Sequence, residues 1–311
     1  MRLMHRVIPV LVFGALLSFA PRLPAQNPDT LMPDESAAKA KQLLHQLIDA
    51  LGGQAYLHVR ESVCTGRLSQ FGSRGNTKDP QFDYGYISFA DFWKYPDRNR
   101  TEYELKGSHV VGFLLHGDLP HGGGKIVDVF AGDKGWTLDK GGVQEQPADV
   151  VADFQEQVKA DFDNLLRYRL GEEGLTFRFG GNDIVDLKMV DWIEIADRDQ
   201  RTFRIAVDQH THLPLRLVVI KRNETTRERT EEVNIFANFQ LVDGVDMPMQ
   251  MTREVNGRRT FEVFFSECKF NSGLPDAMFT KASLEQRYAQ SPKKDNKNDK
   301  HDKSATTEPK N

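Results

Sequence analysis

Val233-Asn-Ile-Phe-Ala-Asn-Phe-Gln-Leu-Val-Asp-Gly-Val-Asp-Met-Pro-Met-Gln-Met251 is the stretch whose reading decides the fold. Successive side chains of a strand point to opposite faces. Val233, Ile235, Ala237, Phe239 and Leu241 therefore share one face, with Phe236 the apolar exception on the other. Val245, Met247, Met249 and Met251 repeat the pattern after Asp243-Gly244. A two-residue hairpin turn needs positive φ at both central positions, which Asp-Gly supplies. The same signal recurs at Asn256-Gly257, and Phe261, Val263 and Phe265 then alternate in turn.

Outward from this hairpin pair the period of two continues. Strands are expected near 174–180, 186–196, 200–208, 213–221, 228–241, 244–255 and 258–270. Earlier candidates are 56–70, 84–95, 98–106, 125–131 and 135–139, the last two joined by Asp133-Lys134-Gly135 with Gly135 at a left-handed position. Helical spacing appears twice. Asp34 to Leu51 places Ala40, Leu44, Leu47, Ile48 and Leu51 on one stripe and stops at Gly52-Gly53. Pro147 to Leu170 places Val151, Phe154, Val158, Phe162 and Leu165 on another, with Pro147 in the first turn. Its opposite face, with Asp153, Glu156, Lys159, Asp163 and Arg167, reads as solvated.

A long run of hairpins with one apolar face must curl around something. The expected class is α+β: a curved, incompletely closed antiparallel β-barrel, a meander of about 11 strands, with helices plugging the concave face. The chain has 20 Phe against 7 Tyr and 3 Trp, so most of its aromatic surface has no polar handle. Methionines on one strand face adapt to irregular apolar shapes. The alternation thus predicts a hydrophobic cavity lined by Phe154, Val158, Phe162, Val233, Ile235, Phe239, Met247, Met249, Met251, Phe261, Val263 and Phe265.

Composition narrows the function classes. Residues 26–285 carry 31 basic against 41 acidic residues. A nucleic-acid binder needs a basic face to displace counterions from phosphates, so a body at −10 argues against one. Residues 1–25 read as an export signal: Arg2 and Arg6, then apolar Val7 to Ala20, then a small-residue cleavage site after Ala25. That places the mature protein in the periplasm. Residues 26–33 read as linker, 34–285 as one domain, and 286–311 as a disordered charged tail. Cys64 and Cys268 are either one disulfide between early and late strands or two buried thiols.

Motifs for chemistry are weak. Phe71-Gly-Ser-Arg-Gly75 lacks the first glycine of a nucleophile elbow, and Leu119 to Ile126 fails the phosphate-loop pattern at both ends. His109, His116 and His121 with Asp118, and His210 with His212, are ordinary exposed-loop residues before they are ligands. No catalytic residue, metal ligand or cofactor is expected.

The chain resembles the LolA/LolB-type superfamily of outer-membrane lipoprotein-sorting proteins. The resemblance rests on the helix ending Ala50-Leu-Gly-Gly53, on Tyr95-Pro-Asp-Arg-Asn-Arg-Thr-Glu102, on Phe130-Ala-Gly-Asp-Lys-Gly-Trp136, on Thr211-His-Leu-Pro-Leu-Arg216 and on Asp243-Gly-Val-Asp-Met-Pro248. It spans residues 34–285. It implies an unclosed antiparallel barrel plugged by helices and a monomeric, non-enzymatic binding or carrier protein. The implied partner is a lipid or lipidated polypeptide, met through transient membrane-surface contact. The alternative is an envelope sensor or interaction module with a self-filled barrel, docking a protein through its edges or the insertion 107–125. An enzyme stands last.

Overall fold

The computed structural model describes residues 31–72, 81–82, 86–105, 124–222, 226 and 228–290. The expected export signal, the insertion with His109, His116 and His121, and the tail beyond residue 290 lie outside them.

Among the described residues, fourteen strands form one antiparallel sheet. The first seven are β1 (Glu61–Gly72), β2 (Gln81–Phe82), β3 (Ile87–Lys94), β4 (Arg98–Leu105), β5 (Gly124–Ala131), β6 (Lys134–Asp139) and β7 (Gly142–Glu145). The rest are β8 (Thr176–Val185), β9 (Lys188–Ala196), β10 (Thr202–Asp208), β11 (Pro214–Arg222), β12 (Arg229–Val242), β13 (Val245–Val255) and β14 (Arg258–Phe270). Their order is β7-β6-β5-β4-β3-β1-β14-β13-β12-β11-β10-β9-β8, with β2 added to β1. The expected strand count was too low because short β7 and β2 carry too little alternation to read. β7 and β8 are the two edges, so the sheet curls without closing. β1 and β14, first and last in the chain, meet at its middle.

Cys64 stands directly opposite Cys268 across that seam, and the two are disulfide-bonded. This resolves the open alternative in favour of the bridge.

Helix α1 (Pro33–Ala50) lies on the inner face. Its expected stripe is buried against Phe179, Ile193, Phe203 and Leu217 of β8 to β11. Ser36 Oγ accepts the Phe179 N–H, satisfying a donor on the β8 edge. Gly52 stops the helix at φ 120°, and a Cβ there would sit 2.3 Å from the Gly244 carbonyl oxygen. The helix stop and the Asp243-Gly244 turn therefore touch backbone to backbone, which only glycine permits. A single turn, α2 (Gln54–Leu57), follows where a strand was expected to begin.

The second predicted helix is interrupted. Helix α3 (Ala148–Ala160) begins after Pro147, which is the extended cap residue rather than the first helical one. Asp161 is extended, ψ 138°, and its carboxylate caps α4 (Phe162–Asn164) before a π-helical turn at Leu165–Arg169. The break changes which way the following side chains face. This segment carries the chain from edge β7 across the concave face to edge β8. Its start packs Val150 and Phe154 on Phe130 of β5, and its end buries Leu165 and Leu166 in the α1 core.

Two further departures are local. The β5–β6 turn takes its positive φ at Gly132, and Gly135 instead makes room for the Phe130 ring. After β14, a 3₁₀ turn (Asp276–Phe279) and α5 (Lys281–Gln290) pack Phe279 and Leu284 on Val127, Val129 and Leu138. The structured chain thus runs five residues past position 285.

Candidate functional site

Between the concave sheet and the crossing segment lies a cavity of about 370 Å3. Seven of the twelve expected residues line it: Phe154, Phe162, Met247, Met251, Phe261, Val263 and Phe265. Five do not. Val158 packs beside Phe130 and Phe154 but misses the wall. Met249 is buried without reaching it. Phe239 packs into the α1 core. Val233 and Ile235 belong to the opposite face, with Trp192 and Val218.

The cause of that inversion is one residue. Asn238, at φ 56°, and Met249 opposite it drop out of the ladder between Ala237–Gln250 and Phe239–Pro248, with the register unchanged on either side. A left-handed residue breaks the strict alternation of an extended strand, so side chains beyond it turn to the other face. Phe236 and Phe239 both turn toward the core, and Glu232 and Asn234 face the cavity where Val233 and Ile235 were expected.

The cavity wall combines apolar patches with charged clusters. Leu68, Phe89, Met251, Phe261, Val263 and Phe265 form an apolar patch bordered by the Arg253–Glu232 ion pair, with Phe89 meeting Phe265 edge to face. A second cluster is polar. Tyr56 donates its O–H to Asp163 at 2.7 Å and Tyr95 donates to the same carboxylate at 3.3 Å. The Arg167 guanidinium lies over the rings of Tyr56 and Tyr95 and forms an ion pair with Asp163 at 3.3 Å. Sequence reasoning placed Asp163 and Arg167 on a solvated helix face; the break at Asp161 turns them inward.

Burial sets the electrostatics of this cluster. It raises the Tyr56 and Tyr95 hydroxyls above their usual range, helped by the Asp163 charge. Burial and the neighbouring Asp163 also push the Asp161 carboxyl up. For Arg167 burial works against the charge, but Asp163 and the two tyrosines outweigh it and hold it cationic. On the same wall, Asp91 accepts from Asn99 and Thr101, and burial raises its carboxyl.

Asp128, buried on β5, provides a pH test. Burial pushes it from 3.8 to about 6, although the Thr137 hydroxyl donates to it. The folded state therefore keeps the proton longer than the unfolded chain does. This favours folding below pH 3.8 and is lost as pH rises through 6. Asp128→Asn is expected to stabilise the protein at pH 7 by up to about 3 kcal/mol, and by nothing below pH about 4. Urea melts at the two pH values check it; a gain independent of pH would exclude this cause.

His210 and His212 sit on the β10–β11 turn, where the His210 N–H donates to Asp208. Among the described residues, no helix is long and apolar enough to cross a membrane.

No protein-family model and no curated protein matches the sequence. Solved structures do. A DUF1329 family protein from Desulfovibrio piger superposes with a TM-score of 0.50 at 14% identity, covering 80% of this chain and 99% of that one. The LolA superfamily protein NE2245 from Nitrosomonas europaea gives 0.47 at 11% identity, covering 79% of this chain and 99% of that one. At 14% identity the likeness to the first is one of fold alone.

Proposed function

We propose that this protein is a non-enzymatic, exported carrier that holds the acyl chain of a lipid or lipidated polypeptide. The observation that carries the reading is the cavity, whose wall sets an apolar patch beside a buried polar cluster. An acyl chain contributes about 0.8 kcal/mol per buried CH₂, so fourteen carbons give on the order of 10 kcal/mol before ordering costs. A barrel filled by its own side chains leaves no such space, which weighs against the self-filled interaction module. The proposal includes export directed by residues 1–25, one folded domain from about residue 34, and action as a monomer in the periplasm.

One observation favours protein contact as well. The β8–β9 hairpin tip exposes Ile184, Leu187 and Met189, with Leu187 98% exposed. Leu187→Asp separates the readings, because a carrier keeps its amphiphile content unchanged.

The test is native mass spectrometry on protein recovered from the periplasm without detergent. Added mass that disappears on denaturation is the expected result. A protein that stays apo after incubation with excess acyl lipid would overturn the carrier reading.

A further inference from the structure

We propose that the ligand enters with a neutral acyl ester or amide at the polar cluster of the cavity, and that Arg167 donates to its carbonyl oxygen. The proposal rests on the acyl-chain reading and specifies its head. The Arg167 side chain is 1% exposed, and it lines the cavity. Its Nη2 forms the ion pair with Asp163, whereas the buried Nε and Nη1 make no hydrogen bond among the described residues. A buried guanidinium donor left unmade is costly, and charge-assisted bonds are the strong ones. Guanidinium donors radiate in the plane of the group, and aromatic rings of Tyr56 and Tyr95 lie against it. An acceptor must therefore approach edge-on, in the plane of the guanidinium.

The charges decide which acceptor. Arg167 is already balanced by Asp163, and Asp161 stands on the same wall. A carboxylate or phosphate would add a negative charge beside one or two others, in a site with little water to screen it. A carbonyl oxygen meets the same donors with no such repulsion. The Ser62 hydroxyl, 3.5 Å from Tyr95 Oη, lines the same wall and offers a neutral partner to the rest of the head.

Three fourteen-carbon probes test this by titration with fluorescence or calorimetric readout: 1-monomyristoylglycerol, its ether analogue 1-O-tetradecylglycerol, and myristate. The ester is expected to bind the wild-type protein roughly tenfold to a hundredfold more tightly than the ether, which lacks only the carbonyl. Myristate is expected to bind more weakly than the ester. Arg167→Gln should reduce the ester–ether difference to little or nothing while the ether binds as before. The wild-type comparison stands even where that variant does not fold. Equal binding of ester and ether, or tighter binding of myristate, would overturn the assignment while leaving the acyl-chain reading intact. Binding of none of the three removes that reading and this proposal together.

Discussion

Replacing Cys64 and Cys268 together with alanine is expected to lower stability by about 5 kcal/mol, as closing a loop of about 200 residues predicts. The bridge spans 204 residues, so it removes a large part of the unfolded chain's freedom. Its location adds to the effect. The sheet consists of two runs of consecutive hairpins, and among the described residues the only ladder joining them is β1 against β14. Cavity walls come from both runs: Phe89 from one, Val263 and Phe265 from the other. A weakened seam should therefore cost ligand binding as well as stability. Denaturant melts of the oxidised protein and the double variant measure the first. A difference under about 1 kcal/mol would show that the seam is held by the ladder and core alone.

Phe265→Glu is expected to abolish amphiphile retention while the protein still folds. Phe265 is half-buried on the cavity wall, so a glutamate has a route to water when the cavity is empty. With a chain in place that carboxylate must be desolvated beside methylene groups, which costs several kcal/mol. Affinity should fall roughly a hundredfold or more. The readout is bound mass per protein, with circular dichroism confirming the fold. Full retention by a folded variant would mean that the acyl chain does not run along β14.

These outcomes bear on how much was readable beforehand. The meander was legible because period-two alternation and the Asp243-Gly244 and Asn256-Gly257 turns are local signals; all four turn residues adopt the positive φ they require. The β14 wall followed from alternation because no bulge intervenes between Phe261 and Phe265. On β12 the same logic failed at Asn238. The warning was present in Phe236, an apolar residue on the supposed polar face. Asn tolerates the left-handed region, but many asparagines sit in regular strands.

The polar cluster of the cavity was not legible at all. Asp163 and Arg167 follow helical spacing from Asp153 and Glu156, and nothing in that pattern marks the break. What breaks it is Asp161 acting as a cap, a residue type that also occurs inside helices. The 3₁₀ turn and α5 were missed because Phe279 and Leu284 give too few anchors for a period. The disulfide depended on register, which pairs distant strands and cannot be counted along the chain.

The crossing segment from β7 to β8 joins the two ends of a bent sheet, as a string joins the tips of a bow. Its contour length caps the span between those tips. The 13 residues of α3 reach about 20 Å. The remaining residues add at most about 3.5 Å each when extended. The bow can flatten only until the string is taut, and the string carries Asp161, Asp163 and Arg167. One length of chain therefore bounds how far the slot can open and carries the polar group on its wall.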